Sequence, residues 1–338
     1  MTVGENKTIV VTGGAGFIAS HFVEHVLRNT DWKIVVLDKL TYASNGFGRL
    51  KSANAIGNPR VQIYTVDLTR QMGECLEQAI GPVNYIVHMA AETHVDNSIK
   101  DPCPFVETNV LSTMQVLEYA RRQPALEKMI YFSTDEVFGP APANQNYHEW
   151  ARYHSTNPYS ASKAAGEELC LAWANTYKVP VMISHMMNAF GEMQHPEKFV
   201  PKVVNAVLSG SAIPIHSSPD GVSGSRFYIH CRNAAAATLF LLQNGAVGDK
   251  YNIVGEREVS NLELAQLISG LLGKPLYYEM VDFHSCRPGH DLRYALDGRK
   301  MQKMGWVIPK KFEDSLEKTI QWMMRPENIH WLNLRGSK

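Results

Sequence analysis

The sequence predicts an α/β protein built on a doubly wound parallel sheet with a smaller, discontinuous C-terminal lobe. Three observations predict it. Short β-branched runs alternate with longer amphipathic stretches, glycines cluster directly after the first run, and the regular alternation stops beyond Asn188.

A chain of 338 residues with 45% apolar content can bury one large or two modest cores and lies far from disordered compositions. Thirty-three basic residues balance thirty-three acidic ones, so no global field draws the chain to nucleic acid or an anionic membrane. Any bound phosphate must therefore be held by local geometry. No run approaches the roughly 18 uninterrupted apolar residues of a membrane helix. The opening MTVGENKTIVVTGG lacks a basic leader or cleavage signal, and a soluble, cytoplasmic protein is expected. Cys75, Cys103, Cys170, Cys231 and Cys286 lie far apart with no CxxC pair, which suits a reducing compartment and gives no thiolate metal spacing. No metal is expected.

Strands are predicted at Thr8 to Thr12, Lys33 to Asp38, Val61 to Asp67, Tyr85 to Met89, Met129 to Ser133 and Val181 to His185. A helix over Tyr159 to Tyr177 is entered through Asn157-Pro158 and left before Pro180. Pro, Gly and Ser gather between Ser209 and Ser225 before an alanine-rich helix near Asn233 to Gln243. This divides the chain into a dinucleotide-binding domain over 1–187 and a mainly substrate-binding lobe over 188–338, with a segment near 226–255 returning to the first.

The first predicted strand runs into Gly13-Gly14-Ala15-Gly16-Phe17-Ile18-Ala19, the strand–glycine–helix setting of a Rossmann dinucleotide site. Gly13 allows the tight turn, Gly16 lets the backbone approach a pyrophosphate, and the helix that follows presents free N–H groups. Ala19 stands where a third glycine is common. Asp38, at the end of the second strand, can accept from both ribose hydroxyls and repels a 2′-phosphate, which favours NAD over NADP. Lys39 partly offsets that repulsion.

Tyr159 and Lys163 stand at i and i+4 and share one helical face, where a fixed ammonium lowers a tyrosine pKa toward use as a base. A solvated Tyr/Lys pair is the bland alternative. Thr134, Asp135 and Glu136 follow a strand end, the edge where ligands of parallel sheets bind. Adjacent acids there supply both a proton donor and a proton acceptor, as the elimination of water requires.

With TGGAGFIAS, LDKLTYASN, HMAAETHVDNSI, STDEVFG, NPYSASKA, HPEKFVPK and RPGHDLRYALD in place, the chain resembles the nucleoside-diphosphate-glucose 4,6-dehydratases of the extended short-chain dehydrogenase/reductase superfamily from about residue 8 to 325. The resemblance implies that Tyr159 takes the C4 hydroxyl proton, Thr134 hydrogen-bonds that oxygen, Glu136 removes the C5 proton and Asp135 protonates the leaving C6 hydroxyl. It also implies that Asp67, Leu68, Ala90, Ala91 and Thr108 join the glycine loop, Asp38 and Lys39 around NAD. Thr93, Asn188, Glu197, Lys198, Arg226, Asn252 and Arg287 would approach a UDP- or dTDP-hexose, the arginines as diphosphate partners. A homodimer through Phe105 to Arg121 and Tyr159 to Tyr177 follows from the same likeness.

The chain departs from the family pattern where His185-Met186-Met187-Asn188-Ala189-Phe190-Gly191 replaces Arg-x-x-Asn-Asn-x-Tyr-Gly. A loss of hydrogen bonding near nicotinamide and substrate is expected. Phe138 replaces a tyrosine, and Arg232-Asn233 replace an acidic pair. Three rivals remain. A nucleotide-sugar epimerase or decarboxylase shares Tyr159 and Lys163 without needing the paired acids, and a non-catalytic NAD sensor needs none of them. His21, Glu24 and His25 match the H-x-x-E-H of some zinc peptidases, but they sit on the helix expected behind the phosphate loop and lack a local third ligand.

Overall fold

The structure is a computed structural model and describes residues 7–282 and 292–333. Its main sheet has seven parallel strands among the described residues: β1 (Thr8–Thr12), β2 (Lys33–Asp38), β3 (Val61–Thr65), β4 (Tyr85–His88), β5 (Lys128–Thr134), β6 (Val181–Met186) and β7 (Lys250–Ile253). Their order is β7-β6-β5-β4-β1-β2-β3. The order reverses between β1 and β4, so the crevice for a ligand opens beyond the carboxyl ends of those two strands.

Alternating side chains sort the sheet into two faces. Ile9, Val11, Ile34 and Val36 meet helices α1 (Phe17–Asn29) and α5 (Cys231–Asn244), whereas Val10, Val35 and Leu37 meet α2 (Ser112–Arg121) and α3 (Pro158–Tyr177). Both faces are covered, which is why the strands read as continuous apolar runs. A third core forms where α4 (Phe199–Ser209), α6 (Asn261–Leu272) and α7 (Phe312–Met323) pack through Val203, Val207, Leu264, Ile268, Leu316 and Ile320. Ile213 and Ile215 join this core from a strand, Ile213–Ser217, that pairs in parallel with the mostly exposed Tyr278–Asp282.

The six expected strands are present, with ends shifted by a residue or two. The third closes at Thr65, which frees Val66 and Asp67 to line the crevice. The helix expected over Tyr159 to Tyr177 runs Pro158–Tyr177. Asn157 starts it, with its Oδ1 accepting from the Ser160 N–H at 2.9 Å and the Ser160 hydroxyl accepting from the Asn157 N–H at 3.3 Å. The alanine-rich helix extends to Cys231–Asn244. Strand β7 was not separately predicted, because its four residues are buried throughout and carry no alternation; pairing with β6 defines it.

Helix α3 lies close on the sheet because Gly166 faces Tyr131, where an added Cβ would stand 2.7 Å from the ring carbon Cζ. That approach sets the depth of every group on the helix's inner stripe, including Tyr159, Lys163, Glu167 and Cys170.

Candidate active site

A single cleft of about 1010 Å³ runs from the β1–β4 switch point to the smaller core. Its floor at one end is the glycine loop. Gly13 holds φ at +67°, and a Cβ there would stand 2.7 Å from the Cα of Ala90; a Cβ on Gly16 would stand 2.9 Å from the Gly13 carbonyl. A side chain at either position would collide with backbone and push the loop out of this shape. Asp38 closes it: Oδ2 accepts from the Ala15 N–H at 2.9 Å and Oδ1 from the Leu40 N–H at 2.7 Å. Burial raises the Asp38 pKa, while those two amides pull it back. The donor set, a glycine turn at a helix N-terminus beside a strand-end carboxylate, fits a dinucleotide.

Gly13, Gly16, Phe17, Ile18, Asp38, Lys39, Asp67, Leu68, Ala90, Ala91 and Thr108 all line this cleft. Lys39 Nζ donates to Thr108 Oγ1 at 3.4 Å. Asp67 Oδ1 accepts from the Thr69 N–H at 3.0 Å, a bond that lowers its pKa.

Further along the cleft, Thr134, Asp135 and Glu136 leave β5 in a tight turn and face Tyr159 and Lys163 of α3. Thr134 Oγ1 donates to Asp135 Oδ1 at 3.0 Å, and Asn157 Nδ2 donates to Glu136 Oε2 at 3.3 Å. Burial and the neighbouring Glu136 charge push Asp135 up to about 7, while Arg226 works against them. A carboxyl group with that value still carries a proton near neutrality and can donate it.

Tyr159 departs from the sequence expectation. Its phenol is raised well above its ordinary value, first by burial and then by Glu136 and Asp135, with a hydrogen bond to Thr134 opposing. Lys163 does not offset this, because its Nζ stands over the Tyr131 ring, 4.3 Å from the centroid. Burial also lowers Lys163 to about 8. In the protein alone Tyr159 is thus a neutral phenol, and the i, i+4 spacing supplies a shared face without the expected shift.

Thr93, Asn188, Glu197, Lys198 and Arg226 line the same cleft. Lys198 Nζ donates to the Thr93 carbonyl at 3.2 Å, and the Tyr42 hydroxyl donates to Glu197 at 3.4 Å. Arg226 is buried against the Tyr294 ring at 4.3 Å. Asn252 is a correction. It lies beneath the cleft on β7, with Nδ2 donating to the Tyr147 and Asp297 carbonyls at 3.0 and 3.1 Å and Oδ1 facing His185 at 3.0 Å. Both amide hydrogens and Oδ1 are engaged by protein partners, and the residue does not line the cleft. Arg287 lies outside the described residues.

His185 corrects the reading of the family departure. It is fully buried and does not line the cleft; Nε2 stands 3.0 Å from Glu167 Oε2 and Nδ1 faces Asn252 Oδ1. Both ring nitrogens are thus engaged by protein partners. Glu167, one turn beyond Lys163, also meets Lys250 Nζ at 3.3 Å, the Tyr153 hydroxyl at 2.5 Å and the Ser133 hydroxyl. Burial works to raise Glu167, but these partners hold it at about 2. The substitution therefore alters a support beneath the site. Phe138 packs on His185 with ring centroids 4.7 Å apart, away from the cleft, and Arg232 and Asn233 likewise lie outside it.

Glu92, His94 and His195 also line the cleft; each lies inside a motif of the family resemblance, but its own spacing carries no signal. Glu167 and Lys250 gave no local signal, because their partners are remote in sequence.

A family model described as the NAD dependent epimerase/dehydratase family matches residues 9–254. The chain belongs to this family. Among curated epimerase/dehydratase relatives, the dTDP-glucose 4,6-dehydratase of Neisseria gonorrhoeae is 38% identical over 94% of this chain and 96% of its own length. A trifunctional UDP-glucose 4,6-dehydratase of Arabidopsis thaliana is 36% identical over 98% of this chain and 49% of its own. The solved DesIV dTDP-glucose 4,6-dehydratase of Streptomyces venezuelae, with NAD and TYD bound, superposes at a TM-score of 0.87 with 34% identity, covering 97% of this chain and 100% of that one. A UDP-glucuronic acid 4-epimerase of Bacillus cereus, at 24% identity and a TM-score of 0.84, shares the fold.

The Asp135 environment carries a stability consequence. An unfolded aspartate ionises near 3.8, whereas the folded one keeps its proton to about 7. This group therefore favours folding fully only below the lower value, and that contribution is lost as pH rises through the interval, by ~4 kcal/mol. Asp135→Asn is expected to raise the melting temperature at pH above 7 relative to the parent and to give a far smaller gain near pH 4. An equal gain at both pH values would contradict the buried, protonated carboxyl group.

Proposed function

We propose that this chain is an NAD-dependent nucleoside-diphosphate-glucose 4,6-dehydratase, converting UDP- or dTDP-glucose to the 4-keto-6-deoxy sugar nucleotide. One observation carries the reading beyond the shared fold: Asp135 and Glu136 stand side by side against Tyr159 at the end of β5, and both bear electrostatically on its phenol. An epimerase or a decarboxylase does not require the adjacent pair Asp135 and Glu136, and a non-catalytic sensor requires none of the three.

NAD, when bound, supplies the hydride acceptor for C4 and the donor for C6, together with a positive ring charge near the phenol. The protein's groups do the proton work. Tyr159 takes the proton of the C4 hydroxyl while Thr134 hydrogen-bonds the same oxygen. Lys163, buried on the next turn of α3, contributes a fixed cation to that end of the cleft. Oxidation at C4 acidifies the C5 hydrogen, and Glu136 removes it. Asp135, protonated near neutrality, gives its proton to the C6 hydroxyl as water departs. Glu136 then gives a proton, exchanged with solvent, back to C5 as C6 is reduced; C4 stays a ketone, and the proton that Tyr159 took passes through solvent to restore Asp135. Arg226 and Lys198 are the cations for the diphosphate, and Arg287 joins them on the family likeness.

We place the domain division near residue 187, with β7 returned to the first domain. Among the described residues no helix is long and apolar enough to cross a membrane, and the four described cysteines are unpaired, which fits a reducing cytoplasm. The segments 105–121 and 158–177 are proposed to pair two copies; Val106 and Leu111 on the first are exposed. Light scattering is expected to give twice the chain mass, and a monomer at micromolar concentration would reject that pairing.

Two measurements test the reaction. Incubation with UDP- and dTDP-glucose in deuterated water is expected to give a 4-keto-6-deoxy product with solvent deuterium at C5, and an unchanged hexose or a C4 epimer would overturn the dehydratase reading. Glu136→Gln is expected to lower turnover by ~10²–10⁴-fold with nucleotide-sugar KM within a few fold; normal turnover would remove Glu136 from its role.

A further inference from the structure

Away from the cleft wall, three side chains from distant parts of the chain converge beneath the junction of the sheet with the smaller core. A nitrogen of His21 on α1, a carboxylate oxygen of Glu192 and Sγ of Cys231 at the start of α5 all lie within 4.8 Å of one another. None of the three has a part in the reaction above. We propose that His21, Glu192 and Cys231 form a binding site for a divalent transition-metal ion of the zinc class.

The hydrogen bonds around the cluster leave one imidazole nitrogen of His21 without a protein donor or acceptor. His21 Nε2 faces the backbone carbonyl of Glu192 at 3.0 Å. A carbonyl can only accept, so Nε2 carries the hydrogen and Nδ1 presents a bare lone pair. That Nδ1 is buried with no hydrogen-bond partner among the described residues, and the residue is 2% exposed. A metal-bound histidine typically gives its second N–H to a carbonyl or carboxylate, and His21 already does so. Burial holds the ring neutral, with its pKa lowered to about 4.

Glu192 is divided between two sets of neighbours. Its Oε1 faces Arg232 Nε at 3.5 Å, and its Oε2 faces Cys231 Sγ at 3.8 Å and His230 Nε2 at 3.3 Å. His230 Nδ1 accepts from the Arg232 N–H at 3.3 Å, so His230 Nε2 is the protonated nitrogen and acts as a donor orienting the carboxylate. The remaining charges are Glu24, 4.0 Å from His21 Nδ1, with Arg232 at 2.7 Å and Arg28 at 2.6 Å compensating it. Arg28 thus balances Glu24 and Arg232 balances Glu192, so the surroundings are neutral overall, and a Cys231 thiolate would meet half of the ion's charge.

Thiolate, imidazole and carboxylate together select zinc-like ions over magnesium or calcium. Ligand atoms around tetrahedral zinc stand about 3.3–3.8 Å apart, so side-chain rotations of about an ångström close the set. A water completes the coordination. Burial raises the Cys231 thiol, so binding forms a metal–sulfur bond and releases that proton to solvent, which makes affinity rise with pH. The ion would tie α1, which opens the phosphate loop, to the segment carrying Asn188 and to α5.

Cobalt(II) chloride titrated into the full chain reads the site without reference to turnover. One equivalent is expected to give an intense thiolate-to-cobalt charge-transfer band, displaced by zinc, and zinc is expected to raise the melting temperature. Cys231→Ser is expected to lose the band, while a variant with Cys75, Cys103 and Cys286 all changed to serine keeps it. His21→Gln provides a second loss variant should Cys231→Ser fail to fold. Absence of the band in the folded wild-type chain, or its persistence in either loss variant, overturns the proposal.

Discussion

One buried carboxylate organises the ground on which the site stands. Glu167 is wholly removed from water inside the α3–sheet interface, a position that costs several kcal/mol unless the charge is compensated. Its partners come from four separate places: Ser133 on β5, His185 on β6, Lys250 on β7 and Tyr153 from the segment before α3. A shift of α3 along or across the sheet would strip some of them away and leave the charge exposed to an apolar interior. The helix is thereby pinned in rotation and in height, and Tyr159 and Lys163 are carried to the cleft on the same stripe. His185 fills this structural place in the present chain.

Above that support, burial and charge separate the acids. Asp135 is desolvated beside Glu136 and keeps its proton to about 7, whereas Glu167, equally buried, is held ionised by cations and hydroxyl donors. The same residue chemistry yields a donor at the cleft and a fixed anion beneath it. The neutral state of Tyr159 follows from the same field, since both cleft acids face it and the Lys163 ammonium lies over Tyr131. With both acids raising it, the Tyr159 phenol would be a better proton acceptor once a positive charge, such as that of bound NAD, stood in the cleft.

What was legible in the sequence was local. The glycine loop, the strand-end acids and the i, i+4 pair each lie within one turn or one strand end, where backbone geometry fixes the relation among neighbours. Placements that depend on tertiary pairing were not legible. Asn252 was expected on substrate because nothing in its own neighbourhood reveals that His185, Tyr147 and Asp297 use its polar atoms. Strand β7 is too short and too fully buried to show a period. The tyrosine shift was misread because spacing along a helix fixes which face a lysine occupies and leaves open where its ammonium ends. The His21, Glu192 and Cys231 cluster is the same case: their separation in the chain conceals a convergence only the fold creates.

The central claim is that one hexose meets the phenol and both acids in a single cleft, so that hydrogen leaves C4 and returns to C6 of the same molecule. Glucose deuterated at C4, carried on its nucleoside diphosphate, tests this directly by nuclear magnetic resonance of the product. The label is expected at C6 of a 4-keto-6-deoxy sugar, within one molecule. Label retained at C4, or washed out into solvent, would contradict it.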